Sequence, residues 1–350
     1  MTIIINIRKT WDRIFSAAEI IREMKPWEWM SETDIFGIKI PETERIYFIS
    51  VMGSACEVTA ISAYMGTRAL GMFWELQQTE PGYLTSSFMT GSMVLTIPQL
   101  MLDFVEEKIL GPEKITRFKN LGAKPSVDKR WPVLDQFVPG FVPEEPEQLA
   151  LGDAAIIFEQ CPEIFRYTKE DDKFIYPGDD NEDLYLIREM KTGSETEWQN
   201  VFKEILIEPV KYNIRFSSAG LARLSGYPKK PELLQIDLTM LPSQVNDGKT
   251  KPYFPFMLLV VNKKSGFVRD FEMLPPLPDI DSMYESVPQK ILEILLKNNY
   301  RPYQIELRSE ILITLLSQLF AKAGIILKKT KHMKAMDEAM EGVMEHLRNG

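Results

Sequence analysis

The order of strand and helix patterns in the last third of this 350-residue chain constrains its fold most strongly. Residues 233–241 alternate apolar and polar side chains, residues 254–261 are continuously apolar, and residues 267–274 alternate again after a turn-forming Asn-Lys-Lys-Ser-Gly segment. Alternation is typical of a half-buried strand, and a continuous apolar run is typical of a strand covered on both faces. The three segments therefore predict a strand followed by a hairpin.

Helices and strands then alternate to the end of the chain. Ser309 is a good N-cap residue, and Gly324 is suited to end the helix that Ser309 begins. The predicted order, β-β-β-α-β-α-β-α, joins the last strands through helices, as parallel strand pairs require. The predicted helices are 286–298, 309–324 and 333–347, and the predicted strands between them are 303–307 and 325–327.

This order resembles the ribonuclease-H-like fold, and the segment Ile236-Asp237-Leu238-Thr239 with its hairpin looks like the start of a transposase or retroviral-integrase core. The resemblance implies acids on the first strand, at the end of the fourth strand and on the last helix, which together hold two divalent metal ions. Asp237 matches the first position. The second position falls on Arg308, with Glu306 nearby, and a cation there would repel a metal ion.

The last predicted helix offers Asp337, Glu338 and Glu341, which lie among several lysines. One interpretation is an ordinary solvated helix face in a degenerate, non-catalytic domain. The alternative is a divergent metal-dependent nuclease or nucleotidyl transferase that uses Asp237, Glu306 and one of these three acids with Mg²⁺ or Mn²⁺. One matching acid and one position of opposite charge favour the non-catalytic interpretation, which leaves a binding or interaction role.

The first 118 residues predict a smaller α+β domain, a β-meander with helices. Residues 10–25 and 67–78 have helical spacing, and residues 98–110 predict a further short helix. Turn residues separate the β-rich runs that predict the meander. These runs are 35–40, 45–52 and 58–64.

Short motifs in this region occur in the order found in an uncharacterised bacterial family, which the chain resembles over most of its length. They are Pro26-Trp27-Glu28-Trp29-Met30, Phe36-Gly37, Val51-Met52-Gly53, Glu57 and Tyr64-Met65-Gly66. The resemblance implies a domain organisation but no activity. The chain departs from the pattern at residues 54–56, where a glycine is expected before the glutamate. If the backbone there needs a positive φ, Gly53 has to supply it.

Aromatic residues in the same region raise the question of a ligand site. Trp27, Trp29 and Glu57 are the candidate binding residues for a peptide or small ligand. The competing interpretation is that the aromatic side chains close a small core. Cys56 has no motif of a catalytic nucleophile around it and is expected to be a small core residue.

The region between the two predicted domains, residues 119–230, reads as a connector with a helix and short strands. It is rich in proline and glycine up to residue 146, and residues 213–230 predict a final linker. Its helical segment, 147–161, is expected to end at Pro162. The predicted division is therefore 1–118, 119–230 and 231–350.

Composition narrows the functional classes. The net charge of −9 argues against broad electrostatic capture of nucleic acid, so a protein or small ligand is the favoured partner, although a local basic patch stays open. Two cysteines and two histidines, none clustered, support neither a disulfide framework nor a zinc site. The sequence lacks an apolar run of about 18 residues, so a cytoplasmic location away from the membrane is expected.

Overall fold

The computed structural model describes residues 6–53, 58–78, 94–178, 181, 183–194 and 196–349, which form two compact units. Unit 1 contains the described residues up to Val138 and those of Pro143–Pro209, and unit 2 contains Pro139–Val142 and the described residues from Val210 onward. Both units mix helices with strands, as the sequence predicts. The division differs from the predicted one in the middle region, because residues 143–209 belong to unit 1.

Unit 1 is built on a sheet of seven strands in the described part of the chain. Their spatial order is β5-β4-β3-β2-β1-β6-β7, and neighbours are antiparallel except for the parallel pair β1 and β6. The first three strands confirm the predicted meander, and later strands extend it on both sides. The strands are β1 (Phe36–Lys39), β2 (Ile46–Met52), β3 (Ala60–Met65), β4 (Gln99–Glu106), β5 (Arg130–Phe137), β6 (Leu184–Met190) and β7 (Trp198–Glu204).

Helices cover both faces of this sheet. They are α1 (Ile7–Met24), α2 (Gly66–Gln77), α3 (Pro112–Leu121) and α4 (Gln148–Glu170). Neighbouring strand residues point to opposite faces, so Ile49 joins the core under α1 and α4, whereas Phe48 joins the core under α2. The helices α1 and α4 pack side by side, with Ile14 and Phe158 in their shared core.

The helix predicted at residues 98–110 is wrong. These residues form β4 and a short 3₁₀ turn, Glu107–Ile109. Leu100, Leu102 and Phe104 are buried at every second position, which is the period of a strand. Apolar residues in this run fit both periods, and pairing with β3 and β5 decides between them.

The end predicted for the helix at Pro162 is also wrong. α4 continues through the proline to Glu170. A proline inside a helix removes one backbone hydrogen bond and costs about 3 kcal/mol in an isolated helix. Phe158, Ile164 and Phe165 are fully buried on either side of it, so tertiary packing stabilises the helix across the break.

Unit 2 is built on a five-stranded sheet of order β10-β9-β8-β11-β12. The first three of its strands in chain order pair antiparallel. The fourth, β11, pairs in parallel with β8, and the fifth, β12, pairs in parallel with β11. Numbered within the unit, the order is 3-2-1-4-5. Three antiparallel strands followed by two parallel crossover strands in this order define the ribonuclease-H-like fold. The strands are β8 (Lys229–Met240), β9 (Phe256–Asn262), β10 (Val268–Leu274), β11 (Arg301–Leu307) and β12 (Ile326–Lys329).

Four helices of the described chain complete unit 2. They are α5 (Ser218–Gly226), α6 (Ile280–Leu296), α7 (Glu310–Ala323) and α8 (Lys334–Asn349). Ser309 caps α7 through its hydroxyl, and Gly324 ends it in the left-handed conformation, as predicted. The helix α5 was not predicted, because Asn213–Lys230 reads as a linker and only Leu224 of this short helix is buried.

The helices lie on the two faces of the unit 2 sheet. Glu272 of β10 pairs with Lys290 of α6, and Asp270 pairs with Lys297 at the end of that helix, which places α6 on their face. The helices α5, α6 and α7 pack against one another there. α8 packs on the other face, where Met336 contacts the core of β8 and β9. In the part of the chain that the structure describes, every helix is too short or too polar to cross a membrane.

Candidate functional site

Polar residues of β8 lie under α8. Gln235 and Asp237 pair with Val261 and Leu259 across the antiparallel ladder. Directly opposite residues of such a ladder share one face, and Val261 and Leu259 belong to the core that α8 covers. Gln235 and Asp237 are therefore buried on the α8 face, with 1% and 5% of their surface exposed.

Arg308 follows the last residue of β11 and connects two acids of this face. Its Nε atom donates a hydrogen bond to Oδ2 of Asp237 at 2.7 Å, and its Nη1 atom donates one to Oδ1 of Asp337 at 2.6 Å. Nη2 lies 2.5 Å from Oδ2 of Asp237. The guanidinium group thus bridges the first strand of the fold and the start of its last helix.

The Arg308 side chain is 13% exposed and that of Asp237 is 7% exposed, so water screens this pair weakly. Burial acts to lower the pKa of Arg308, but the charges of Asp237 and Asp337 and their hydrogen bonds raise it overall. The guanidinium therefore keeps its proton at every accessible pH. Its charge is fixed between the two carboxylates.

Glu306 lies two residues before Arg308 on the same face, but it has different partners. Its Oε2 atom accepts a hydrogen bond from Nε2 of Gln235 at 3.0 Å, and its Oε1 atom accepts one from Nζ of Lys263 at 2.6 Å. Burial acts to raise the pKa of Glu306, and the hydrogen bonds from Lys263 and Gln235 outweigh it, so the pKa is lowered. Glu306 is thus a buried, ionised carboxylate with its own cation.

Gln235 links this network to α8. Its Oε1 atom accepts the backbone N–H of Met336 at 3.1 Å. Met336 lies in the first turn of α8, where the N–H groups have no partner inside the helix. The side chain of Gln235 therefore caps α8 from a neighbouring strand, while its amide nitrogen holds Glu306.

Of the predicted metal-binding acids, Asp237, Glu306 and Asp337 are therefore brought onto one face, but each already has a cationic partner. Asp237 and Asp337 share Arg308, and Glu306 is held by Lys263. Glu338 lies on the exposed side of α8 beside Lys334, and Glu341 is exposed. Among the described residues there is no group of three His, Cys, Asp or Glu side chains that could hold a metal ion. This donor set does not fit the two divalent ions of the fold.

The aromatic candidates of unit 1 are packed. Trp27 lies against Phe104, with 5.5 Å between ring centroids, and Trp29 is partly buried against the main core. The indole N–H of Trp29 is buried, and it has no hydrogen-bond partner in the described chain. Glu57 and Cys56 lie outside the described residues. Gly53, the residue before this segment, does have a positive φ, 138°.

Two functional features were not predicted from the sequence. One is the capping role of Gln235, and the other is a cavity in unit 1 that Asp153 helps to line. The signal available for both was a polar residue inside an otherwise apolar pattern, in a strand for Gln235 and in a helix for Asp153. Buried polar groups need partners, but the pattern does not say which ones.

The fold and this site define unit 2 as a ribonuclease-H-like domain with a guanidinium group where the acids of the fold converge. Residues 11–188 match a domain of unknown function, DUF7309, and residues 220–344 match a second one, DUF6930. The first match spans just over half of the chain, so the protein belongs to the DUF7309 family. This confirms the predicted membership of an uncharacterised family.

More distant comparisons add little. The catalytic core domain of BIV integrase is similar over 34% of this chain and 71% of its own, with 13% sequence identity and a TM-score of 0.25. The strand order, and not this similarity, defines the fold. No curated protein matches the chain significantly.

Proposed function

We propose that unit 2 is a non-catalytic ribonuclease-H-like domain and that the protein acts by binding a partner. The observation that supports this is the bridge from Arg308 to Asp237 and Asp337. A two-metal mechanism needs such carboxylates as ligands for ions about 3.5–4 Å apart. Here one guanidinium occupies both carboxylates and neutralises part of their charge.

Magnitudes favour the guanidinium over a metal ion. A divalent ion about 4 Å from a guanidinium is repelled by roughly 8 kcal/mol at an effective dielectric constant of 20, twice the value for two unit charges. This repulsion offsets the attraction that one carboxylate at the same distance would give the ion. A metal ion would therefore have to displace Arg308, and breaking a buried pair costs about 3–5 kcal/mol more.

A cleavage assay tests the proposal. The full chain is incubated with labelled single- and double-stranded DNA and RNA in Mg²⁺ and in Mn²⁺, next to two variants. Asp237→Asn removes the candidate metal ligand, and Asp270→Asn removes an acid that pairs with Lys297 on the opposite face. We expect equal, background hydrolysis in all three proteins. Metal-dependent cleavage that Asp237→Asn abolishes and Asp270→Asn retains would establish the rival nuclease function, and the proposal would be wrong.

The charge distribution supports nucleic acid as a second candidate for the partner. Residues 210–350 contain 20 Lys and Arg against 15 Asp and Glu, a net charge of +5, whereas residues 1–209 contain 21 against 35, a net charge of −14. The net charge of −9 is therefore the sum of an acidic segment, residues 1–209, and a basic segment, residues 210–350. Binding through phosphates weakens steeply as salt rises. The fluorescence anisotropy of a labelled oligonucleotide, measured in a salt series, tests this. Phosphate binding should raise the anisotropy at low salt and lose the increase at high salt. If the partner is a protein or a small ligand, the anisotropy should not change when the chain is added.

A further inference from the structure

A cavity of about 390 Å³ opens in unit 1 where α1 and α4 begin. Residues of the first two turns of α1, of the first three turns of α4 and of the turn between β1 and β2 line it. Pockets that bind small molecules have volumes of about 300–1,000 Å³, so this one suits a small molecule. It lies within unit 1, and its residues take no part in the Arg308 site.

A buried carboxylate is among the groups that line the cavity. The Asp153 side chain is 4% exposed, and its Oδ2 atom accepts hydrogen bonds from the Tyr47 hydroxyl at 2.8 Å and from Nη1 of Arg45 at 3.2 Å. Oδ1 of Asp153 accepts no hydrogen bond from the described residues. Burial raises the pKa of Asp153, although hydrogen bonds from Tyr47 and the charge of Arg45 oppose this. Oδ1 is therefore free to accept a hydrogen bond from a ligand. A positively charged donor there would also stabilise the ionised form of this buried carboxylate.

The rim of the cavity carries charges of both signs. Lys9 and Glu42 are exposed, and neither side chain forms an ion pair with another described residue. Arg13 also lines the cavity, but it makes hydrogen bonds of 2.7 and 2.5 Å to the two carboxylate oxygens of Glu159. The charged groups open to a ligand are thus Lys9 and Glu42, together with the Oδ1 atom of Asp153, whose Oδ2 atom already pairs with Arg45.

Apolar walls complete the site. Leu149 and Ile156 of α4 line the cavity beside Asp153. The apolar side chain of Leu149 is 57% exposed to water, so it is available to contact a ligand. A ligand with an apolar part would cover this surface and gain about 25 cal/mol for each Å² removed from water.

We propose that this cavity binds a free α-amino acid with an apolar side chain. Its ammonium group would lie against Asp153 and Glu42, its carboxylate against Lys9, and its side chain against Leu149 and Ile156. A ligand with only a negative charge would meet two carboxylates, and a ligand with only a positive charge would meet Lys9. A zwitterion satisfies both signs. The proposal is independent of the function proposed for unit 2.

Ligand binding tests this directly on the full chain. Each of the twenty standard L-amino acids is screened at about 10 mM by thermal shift, and the best one is measured by calorimetry. We expect saturable binding of an apolar amino acid. Its amine analogue without the carboxylate and its acid analogue without the amine should each bind at least about tenfold more weakly, about 1.4 kcal/mol. The proposal is overturned if no amino acid binds, or if either analogue binds as well as the parent.

Three variants locate the site. Asp153→Asn keeps the shape and the acceptor for Tyr47 but loses the charge, and Lys9→Ala removes the rim cation from an exposed position that tolerates truncation. Each should weaken binding about tenfold or more. Asp12→Asn removes an exposed acid of α1 outside the cavity and should leave affinity unchanged. Unchanged binding in Lys9→Ala overturns the proposed site even if Asp153→Asn fails to fold.

Discussion

Arg308 and Asp237 form a close buried ion pair in unit 2, with Nε and Nη2 of the arginine 2.7 and 2.5 Å from the same carboxylate oxygen. The remaining guanidinium nitrogen, Nη1, reaches Asp337 on α8. One side chain therefore ties the first strand of the fold to its last helix. In an enzyme of this fold, metal ions make that connection.

The first prediction concerns the stability that this pair provides. Arg308→Met should lower the free energy of unfolding by about 3–5 kcal/mol, because it leaves the buried carboxylate of Asp237 without a partner. Adding Asp237→Asn to Arg308→Met should recover part of the loss. Urea denaturation measures both effects. Arg166→Met is the control, since its pair with Glu163 is 56% exposed at the arginine and should be worth less than about 1 kcal/mol.

The second prediction concerns the cap of α8. Gln235→Leu should destabilise unit 2 by about 1–3 kcal/mol, because the buried N–H of Met336 loses its acceptor. Faster amide hydrogen exchange in the first turn of α8 should accompany the loss. Gln289→Leu on α6 is the control: its side chain also accepts a backbone N–H, that of Ser217, so this variant should change exchange in α8 little. Unaltered exchange at Met336 in Gln235→Leu would show that the cap does not matter.

The third prediction concerns pH. Burial raises the pKa of Asp103 on β4 to about 6, and the nearby charge of Asp135 adds to this. The folded state therefore binds the proton more tightly than the unfolded chain, whose carboxyl titrates near 4. The stability from this group is present below pH 4 and is lost as pH rises through 6.

Asp103→Asn should consequently stabilise the protein at pH 7.5 by about 1–2 kcal/mol, and this gain should vanish near pH 4. Denaturation at the two pH values measures it, with Asp12→Asn as the exposed control. An equal effect of Asp103→Asn at both pH values would contradict the raised pKa.

The fourth prediction concerns Gly53. A Cβ atom there would lie 2.9 Å from Cβ of Trp27 and 3.1 Å from the carbonyl oxygen of Val58, and φ is 138°. Gly53→Ala should therefore destabilise unit 1 by about 1–3 kcal/mol. Gly342→Ala in α8 meets no atom within 4 Å and should stabilise its helix by up to about 1 kcal/mol. Similar melting temperatures for the two variants would refute the steric argument.

Local patterns were sufficient to predict the strands of unit 2 and its helices other than α5. The period of two in β8, the apolar run of β9 and the capping residues Ser309 and Gly324 each act within a few residues of the chain. These signals placed Asp237 on a strand and Arg308 after one, and so placed both at the site. The strand β4 was missed because its apolar residues fit both periods, and pairing with distant strands decided the outcome.

The hydrogen-bond and ion-pair partners of the polar side chains could not be predicted from the sequence. Gln235 caps a residue 101 positions later, and Arg308 reaches Asp337 across 29 positions. The cavity of unit 1 likewise gathers short segments around residues 9, 42 and 153, which the sheet brings together. Contacts of this kind follow from the assembled fold, so the sequence supplies the polar residues but not their pairing.

Calorimetric titration with Mn²⁺ tests most directly whether Arg308 takes the place of metal ions. The wild-type chain should give no saturable heat, and Arg308→Asp, which restores an acid beside Asp237 and Asp337, should gain a saturable site and a higher melting temperature with Mn²⁺. A saturable Mn²⁺ site in the wild type that Asp237→Asn removes would contradict the account.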